Sequence, residues 1–559
     1  MSEYEFVVAL TLIFAVAAVL LVVATRYSLP AVPFYLVAGV LVGVVVDEGQ
    51  LLDLAQWGIV FLVFAFAVEL EPLYGSGIQR DSTVVAVVQA AITGAVMFVV
   101  GLLLGFDPLN ALYFTIAATL GSSLVALSLL ERRVRLRSLH ERLAESIHFV
   151  EDLLAIGAIL LLSAFVYADG HLIALLGGVL LVGGGLVIRH YLFDRFTAVA
   201  GGDVEIMMLT GISLIIGFVA IAELAGVSVV VGAFAAGLAV ASEYPHDVET
   251  LDAIGYVEDF FAPVFFVTLG ALLTVPSLAV LGIGAVLVVA VLVVNPVVTF
   301  AVLRWRDYDS RTATLTGYNL DQVSEFSLII AIEALVAGLL VPALFEAIVL
   351  AAIVTMLGSA FTSRYAGDLH RRLVDTGILD ADTEAIRAKS RVADDLRDHV
   401  VVTGYDREGQ QVVEACEAID HPYVVIESDP SREETVREHC ENYVFGDVMT
   451  ESAWEVANAA DAALIVATVQ RQAWAEQILS FDVGVDTIVR ASDVESGAAL
   501  LEQGAFFVAV PDVLAAERLR DLVAGLLAGD LTREDVRDRG RDRLERAVEY
   551  GPSDVQRIR

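Results

Sequence analysis

Up to about residue 363, apolar runs of roughly 20 residues follow one another almost without pause. A helix of that length crosses ~30 Å of hydrocarbon, so this part of the chain is built to lie in a bilayer. Beyond it, short strands alternate with polar helices. The balance of 57% hydrophobic and 19% charged residues, with a mean hydropathy of +0.74, excludes a soluble enzyme. The organisation expected is a membrane domain over 1–363, a linker over 364–396, a Rossmann-like α/β domain over 397–529 and a charged tail, read as a solvated helix, over 530–559.

Pro, Gly and charge clusters divide the membrane part into about thirteen spans. They fall near 5–24, 30–46, 54–70, 83–105, 109–130, 145–166, 172–190, 205–222, 226–242, 257–275, 278–303, 312–333 and 341–362. The start, Met1-Ser2-Glu3-Tyr4-Glu5, is acidic where a secretory signal is positive, and the first run counts as a span. Residues 1–363 hold 12 Arg and no Lys. Arg26, Arg80, the cluster Arg132/Arg133/Arg135/Arg137/Arg142, Arg189/Arg195 and Arg304/Arg306/Arg311 all follow odd-numbered spans, which makes those loops cytoplasmic. The opposite loops carry Asp47, Glu48, Asp107, Asp169 and Glu223 and no basic residue. An odd span count then puts the N-terminus outside and the C-terminal domain inside, at a cell membrane.

The formal charge of -37, with Lys389 the single Lys, leaves no basic face for nucleic acid. Acid-rich, Lys-poor composition also suits concentrated salt, and the expectation is a halophile. Cys416 and Cys440 lack metal-ligand spacing and read as reduced thiols of a cytosolic domain.

An ionisable side chain at mid-bilayer depth needs a partner, a wet cavity or a function. In span six, Glu145, His148, Glu151 and Asp152 share one broad helical face, with Asp152 about 10 Å along the axis from Glu145. Two adjacent carboxylates at that depth can share a cation or a proton, which is proton-coupled ion chemistry. In span twelve, Asn319, Asp321, Gln322, Ser324 and Glu325 interrupt an apolar helix, and in span five Thr119, Gly121, Ser122 and Ser123 make a matching weak point. Asn295-Pro296 breaks span eleven. Polar interruptions at matching places in two halves point to inverted repeats, spans one to six and eight to thirteen, whose unwound helices cross at a midplane ion site. Glu69 and Glu333 end their spans and read as interfacial. Thr316-Gly317-Tyr318 and Thr403-Gly404-Tyr405 are not selectivity filters, because neither lies in a short re-entrant loop.

From His399 the chain reads strand, turn, helix: Val400-Val401-Val402-Thr403, then Gly404-Tyr405-Asp406-Arg407-Glu408-Gly409, then a helix to Ile419. Tyr423-Val424-Val425-Ile426 follows and ends at Glu427, placed for ribose hydroxyls. Asp406 stands at the second glycine position, where its carboxylate repels phosphate, so a monophosphate or another arrangement is favoured over a dinucleotide.

Taken together, these residues resemble Kef-type members of the monovalent cation:proton antiporter-2 family joined to a TrkA-N (RCK-like) domain. The resemblance spans nearly the whole chain. Leu29-Pro30 through Val37-Ala38-Gly39-Val40, Ala67-Val68-Glu69-Leu70-Glu71-Pro72, Gly232-Ala233-Phe234-Ala235-Ala236-Gly237 through Ser242-Glu243-Tyr244, and Gln322-Val323-Ser324-Glu325-Phe326 carry it. It implies homodimers, elevator-like alternating access and gating by adenine nucleotide (AMP, ATP or NAD(H)), with no redox cofactor. It makes Asp152 the ion- and proton-carrying carboxylate. Gly404 and Gly409 match the nucleotide loop, in which Tyr405 and Asp406 also lie as candidate binding residues, Glu427 matches the ribose acid and Gly446-Asp447 a later turn. Glu151 stands where relatives have Gln, Asn or Asp, and Asn295 where many have Lys.

The function expected is therefore K+ or Na+ exchange for protons, with no enzymatic activity. Asp152 and Glu151 would hold the monovalent cation, and Thr119, Ser122, Ser123, Gln322, Glu325, Asn295 and His148 would complete the transport site, because hard alkali cations take oxygen donors. The rivals are a nucleotide-gated potassium channel and a membrane-anchored oxidoreductase. The absence of a re-entrant filter and of a substrate domain counts against each in turn.

Overall fold

The computed structural model describes residues 3–46, 48–68, 76–129, 138–166, 171–193, 195, 204–240, 248–380, 382–393, 395–429, 432–468, 472–481, 483–538 and 540–541. Residues 47, 69–72, 132–137, 169, 242–244 and 542–559, used above for orientation, resemblance or the tail, lie outside them. Two compact units divide the chain: one holds Met1–Glu131, Glu141–Arg306 and Ala313–Gly367, the other Arg132–His140, Asp307–Thr312 and Asp368–Arg559.

The first unit is helical. Its elements are α1 (Glu3–Arg26), α2 (Ala31–Val42), α3 (Glu48–Val68), α4 (Ser76–Leu103), α5 (Pro108–Thr119), α6 (Ser123–Leu129), α7 (Leu139–Val166), α8 (His171–Ile188), α9 (Val204–Leu224) and α10 (Val229–Val240). There follow α11 (Val248–Ala271), α12 (Leu278–Val289), α13 (Asn295–Trp305), α14 (Ser310–Tyr318), α15 (Glu325–Val336) and α16 (Pro342–Asp375), of which α14 up to Thr312 and α16 from Asp368 belong to the second unit. Among the described residues, six helical stretches are long and apolar enough to cross a membrane and five apolar ones are shorter.

Two of the expected spans are divided. The fifth is α5 and α6 with a gap at 120–122, and the twelfth is α14 and α15 with a gap at 319–324. The eleventh widens into a π turn over Ala290–Val294 just before Asn295-Pro296, because a proline supplies no N–H to the turn behind it. The last helix does not stop at 362. Residues 364–375 are polar but keep good helix formers, so α16 runs on into the stretch expected to be a linker.

Hydrocarbon offers helices no hydrophobic drive to associate, so close van der Waals approach has to hold them, and small residues permit it. Helix α11 packs on α2 and α3, α10 packs on α3, α8 and α9, while α4 meets α5 and α13. A Cβ on Gly39 would lie 2.1 Å from the Val267 carbonyl oxygen, and one on Gly270 would lie 1.9 Å from that of Leu36. The backbones of α2 and α11 therefore touch.

The second unit contains α17 (Thr383–Lys389) and a six-stranded parallel sheet in the order β3-β2-β1-β4-β5-β6. The strands are β1 (Val400–Thr403), β2 (Tyr423–Glu427), β3 (Tyr443–Phe445), β4 (Leu464–Ala467), β5 (Thr487–Arg490) and β6 (Phe507–Ala509). They alternate with α18 (Arg407–Ala418), α19 (Glu433–His439), α20 (Glu451–Val456), α21 (Gln472–Ser480) and α22 (Val494–Glu502), and α23 (Pro511–Ala528) follows. Helices on both faces bury both sides of the strands: Val401, Val424 and Ile426 enter one core, Val400, Val402 and Val425 the other. This is the doubly wound order, whose ligands bind beyond the carboxyl ends of the strands.

Two outcomes follow from this packing. Gly270→Leu is expected to lose about 1–3 kcal/mol of stability, with Gly282→Leu near neutral because nothing lies within 4 Å of its Cβ; thermal unfolding in lipid nanodiscs checks the difference. Burial pushes the Cys440 thiol up to about 11. At pH 8 about one molecule in a thousand then carries that thiolate, and iodoacetamide is expected to label Cys440 far more slowly in the folded protein than in urea.

Candidate functional site

Each gap in a helix leaves carbonyls and N–H groups that lipid cannot satisfy. Here neutral amides take up most of the load. Gln89 Nε2, from α4, donates to the Thr119 carbonyl at 3.1 Å, and Asn295 Nδ2 donates to that of Ala118 at 2.9 Å. Gln322 Nε2 reaches the carbonyls of Ser122 at 3.4 Å and Asn319 at 3.2 Å. The gaps also bond to each other, the Ser324 N–H donating to the Leu120 carbonyl at 3.0 Å.

The polar face of α7 reaches both gaps. The Glu151 Oε2 accepts from the Gly121 N–H at 3.1 Å, and His148 Nε2 donates to the Asn319 carbonyl at 3.1 Å, which places the imidazole proton on Nε2. His148 Nδ1 lies 3.4 Å from Glu151 Oε2. Glu151 is thus tied to the fifth-span gap, and His148 to the twelfth.

The small hydroxyls expected as cation ligands have local work. Thr119 donates to the Thr115 carbonyl at 2.6 Å, and Ser122 Oγ caps α6 by accepting from Val125 N–H at 3.2 Å. Ser123 Oγ donates to Glu325 Oε1 at 2.8 Å, and the Leu124 N–H donates to the same oxygen at 3.3 Å. A carboxylate from the start of α15 therefore caps α6, the favourable sign of charge at a helix N-terminus. Ser324 caps α15 in the same way through Phe326 N–H.

Asp152 stands among these groups, 2% exposed, facing Ser123 and the carboxylates of Glu325 and Glu151. Its Oδ1 has no hydrogen-bond partner; neither have Glu325 Oε2, Asn295 Oδ1 or Gln322 Oε1. Four buried oxygens from α7, α13, α15 and the gap before it thus lack donors. Buried acceptors left this way are costly, and a cation or protons would satisfy them. Gln89 on α4 and Thr355 on α16, whose hydroxyl accepts from the Val323 N–H at 3.1 Å, also support the gaps and were not singled out above. Their signal was a lone polar residue inside an apolar helix. Glu333 lies apart, its carboxylate accepting from the Ser228 hydroxyl at 2.9 Å.

In the second unit the turn after β1 is set by glycine. Gly404 has φ +85°, and a Cβ on Gly409 would fall 2.0 Å from the Gly404 carbonyl oxygen. Asp406 occupies the position a phosphate would need, its Oδ1 capping α18 through the N–H groups of Glu408 at 3.1 Å and Gly409 at 2.9 Å. Glu427 turns inward as well, accepting from Tyr405 N–H at 2.9 Å and from those of Ser428 and Asp429, with Arg432 3.6 Å away. Tyr405 is buried. Asp447, next to Gly446, accepts from its neighbour Met449 N–H at 2.9 Å and pairs with Arg311, in the Asp307–Thr312 segment of the same unit.

Comparison with known proteins bears on both units. The transmembrane sodium/hydrogen exchanger family matches residues 11–364, and the TrkA-N domain matches residues 400–511. YbaL of Escherichia coli (strain K12), whose name describes a cation/proton antiporter, is 25% identical over 534 residues, 89% of this chain and 93% of YbaL. The glutathione-regulated potassium-efflux system protein KefC of Enterobacter sp. (strain 638) is 27% identical over 472 residues, 80% of this chain and 73% of KefC. An electron-microscopy structure of the sodium proton antiporter MjNhaP1 from Methanocaldococcus jannaschii superimposes with a TM-score of 0.50 at 13% identity, over 67% of this chain and 99% of that one, a likeness of fold. The chain belongs to the sodium/hydrogen exchanger family of membrane cation/proton antiporters and carries a TrkA-N domain.

Proposed function

We propose that the protein exchanges potassium or sodium for protons by alternating access, with Asp152 binding cation and proton in turn. One observation carries this reading: the Asp152 carboxylate is buried facing Ser123, Glu325 and Glu151 with its Oδ1 unpartnered, and Glu325 Oε2, Asn295 Oδ1 and Gln322 Oε1, on the segments that close the two gaps, also lack donors. An alkali cation lodged there takes hard oxygen ligands; when it leaves, protons take its place. Glu151 and His148 hold the gaps in register, and Ser123, Gln322, Glu325 and Asn295 shape the cavity. Thr119 and Ser122 contribute by fixing the turn. Potassium is favoured by the TrkA-N domain and by the potassium efflux for which KefC is named. Sodium is favoured by the paired carboxylates and a salty habitat.

The second unit, on the cytoplasmic side in this reading, binds an adenine nucleotide and sets the exchange rate. The doubly wound sheet and the glycine turn support a nucleotide site, with Gly404, Tyr405, Gly409, Glu427 and Asp447 around it. Asp406 limits what fits, because its carboxylate already fills the helix N-terminus. The working form is a homodimer in a cell membrane.

Asp152→Asn is expected to abolish cation-driven proton movement in proteoliposomes while leaving a folded protein; coupled exchange retained by the variant overturns the assignment. The assay uses a pH-sensitive dye and pulses of potassium, sodium or choline chloride at clamped potential. Proton movement with potassium or sodium but not choline names the ion, whereas cation flux without protons identifies a channel. By calorimetry, AMP is expected to bind at least tenfold more tightly than NADH, and Asp406→Gly to narrow that gap; no binding of AMP, ATP or NADH sinks the nucleotide reading.

A further inference from the structure

A second carboxylate is buried in the twelfth-span gap. Asp321 is fully buried and lies between α14 and α15. Its Oδ2 accepts from the Thr362 hydroxyl on α16, and its Oδ1 has no hydrogen-bond partner. The groups that face it are Thr362 from α16, Tyr318 at the end of α14 and His148 from α7. The carboxylates around Asp152 have donors elsewhere: Glu151 takes the Gly121 N–H, and Glu325 takes Ser123 and the Leu124 N–H. Asp152 itself faces Glu325 and Glu151. His148, bonded to Asn319 and close to Glu151, stands between the two groups of acids in this network.

A buried carboxylate with one hydroxyl donor, facing a histidine whose Nε2 is already bonded to the Asn319 carbonyl, is held best with a proton or a cation on its open oxygen. Satisfying Thr362 alone does not require a charge, since a Ser or Asn side chain at 321 would accept that bond. We propose that Asp321 is a second proton carrier of the exchange cycle, loaded and unloaded separately from Asp152. On loading, a proton from water on the open side bonds to Oδ1 and neutralises the carboxylate. On unloading, that O–H bond breaks and the proton returns to water on the other side, Thr362 keeping its bond to Oδ2 throughout. Each cycle then moves one proton more than the Asp152 centre alone would move.

This inference rests on the exchange reading, and the test separates the two. Reversal potentials measured in proteoliposomes give the number of protons moved per cation. The native protein is expected to move at least two protons per cation, and Asp321→Asn one fewer, with a matching loss of voltage dependence. Thr362→Val keeps the carboxylate and is expected to keep the native ratio while moving the pH midpoint of exchange by roughly half a unit or more. An unchanged reversal potential in an active Asp321→Asn protein overturns the proposal, as does a native ratio of one. If Asp321→Asn is inactive, Thr362→Val decides: a moved midpoint supports the proposal and an unmoved one overturns it. Failure of the native protein to exchange at all would instead refute the underlying reading.

Discussion

Every feature of the membrane unit follows from one constraint: a backbone polar group in hydrocarbon has to find its partner within the protein. A continuous helix meets the constraint by itself, and most helices here do. The two that break, at 120–122 and 319–324, do not, and the molecule is arranged around them. Gln89, Asn295 and Gln322 supply donors to stranded carbonyls, while Glu151 and Glu325 accept from stranded N–H groups. Because α4, α7, α13 and α15 each bring one of these groups, none of them can be displaced without unsealing a gap.

That arrangement separates two kinds of buried polar atom. Those with partners hold the gaps shut against lipid. Those without include oxygens of Asp152, Glu325, Asn295 and Gln322, on the segments around the two gaps. A structure selected for stability alone would replace such atoms with apolar ones, as paired or unpaired buried charge adds little to stability. Such atoms mark a candidate site rather than a seal.

Much of this was legible in the sequence. Thr119 to Ser123 and Asn319 to Glu325 interrupt apolar runs, and polar residues at bilayer depth announce a break. Asn295-Pro296 announced another. What periodicity could not supply was partnership. Glu151 and Asp152 read as an equivalent pair, yet one meets Gly121 N–H across 30 positions of sequence and the other faces Ser123 with its Oδ1 unpartnered. Gln89 carried no local signal beyond its amide. The end of the membrane part was drawn at 363 because hydropathy falls there, but helix propensity does not, and α16 continues to Asp375. In the second unit the glycine turn and its flaw were both visible, since Asp406 is as good a helix cap as it is a poor phosphate neighbour.

The amides that seal the gaps are electrically neutral, and neither pH nor salt alters them. The carboxylates at the crossing are the components that change charge. Glu151 and Glu325 also close gaps, so the amides are the part of the seal that a change of pH leaves unaltered. For a protein with a surplus of acids over bases of 37, whose exposed ion pairs weaken as salt rises, this places the site's geometry under forces that ionic strength does not reach. The amide bonds across the crossing can then hold in dilute and in concentrated brine alike.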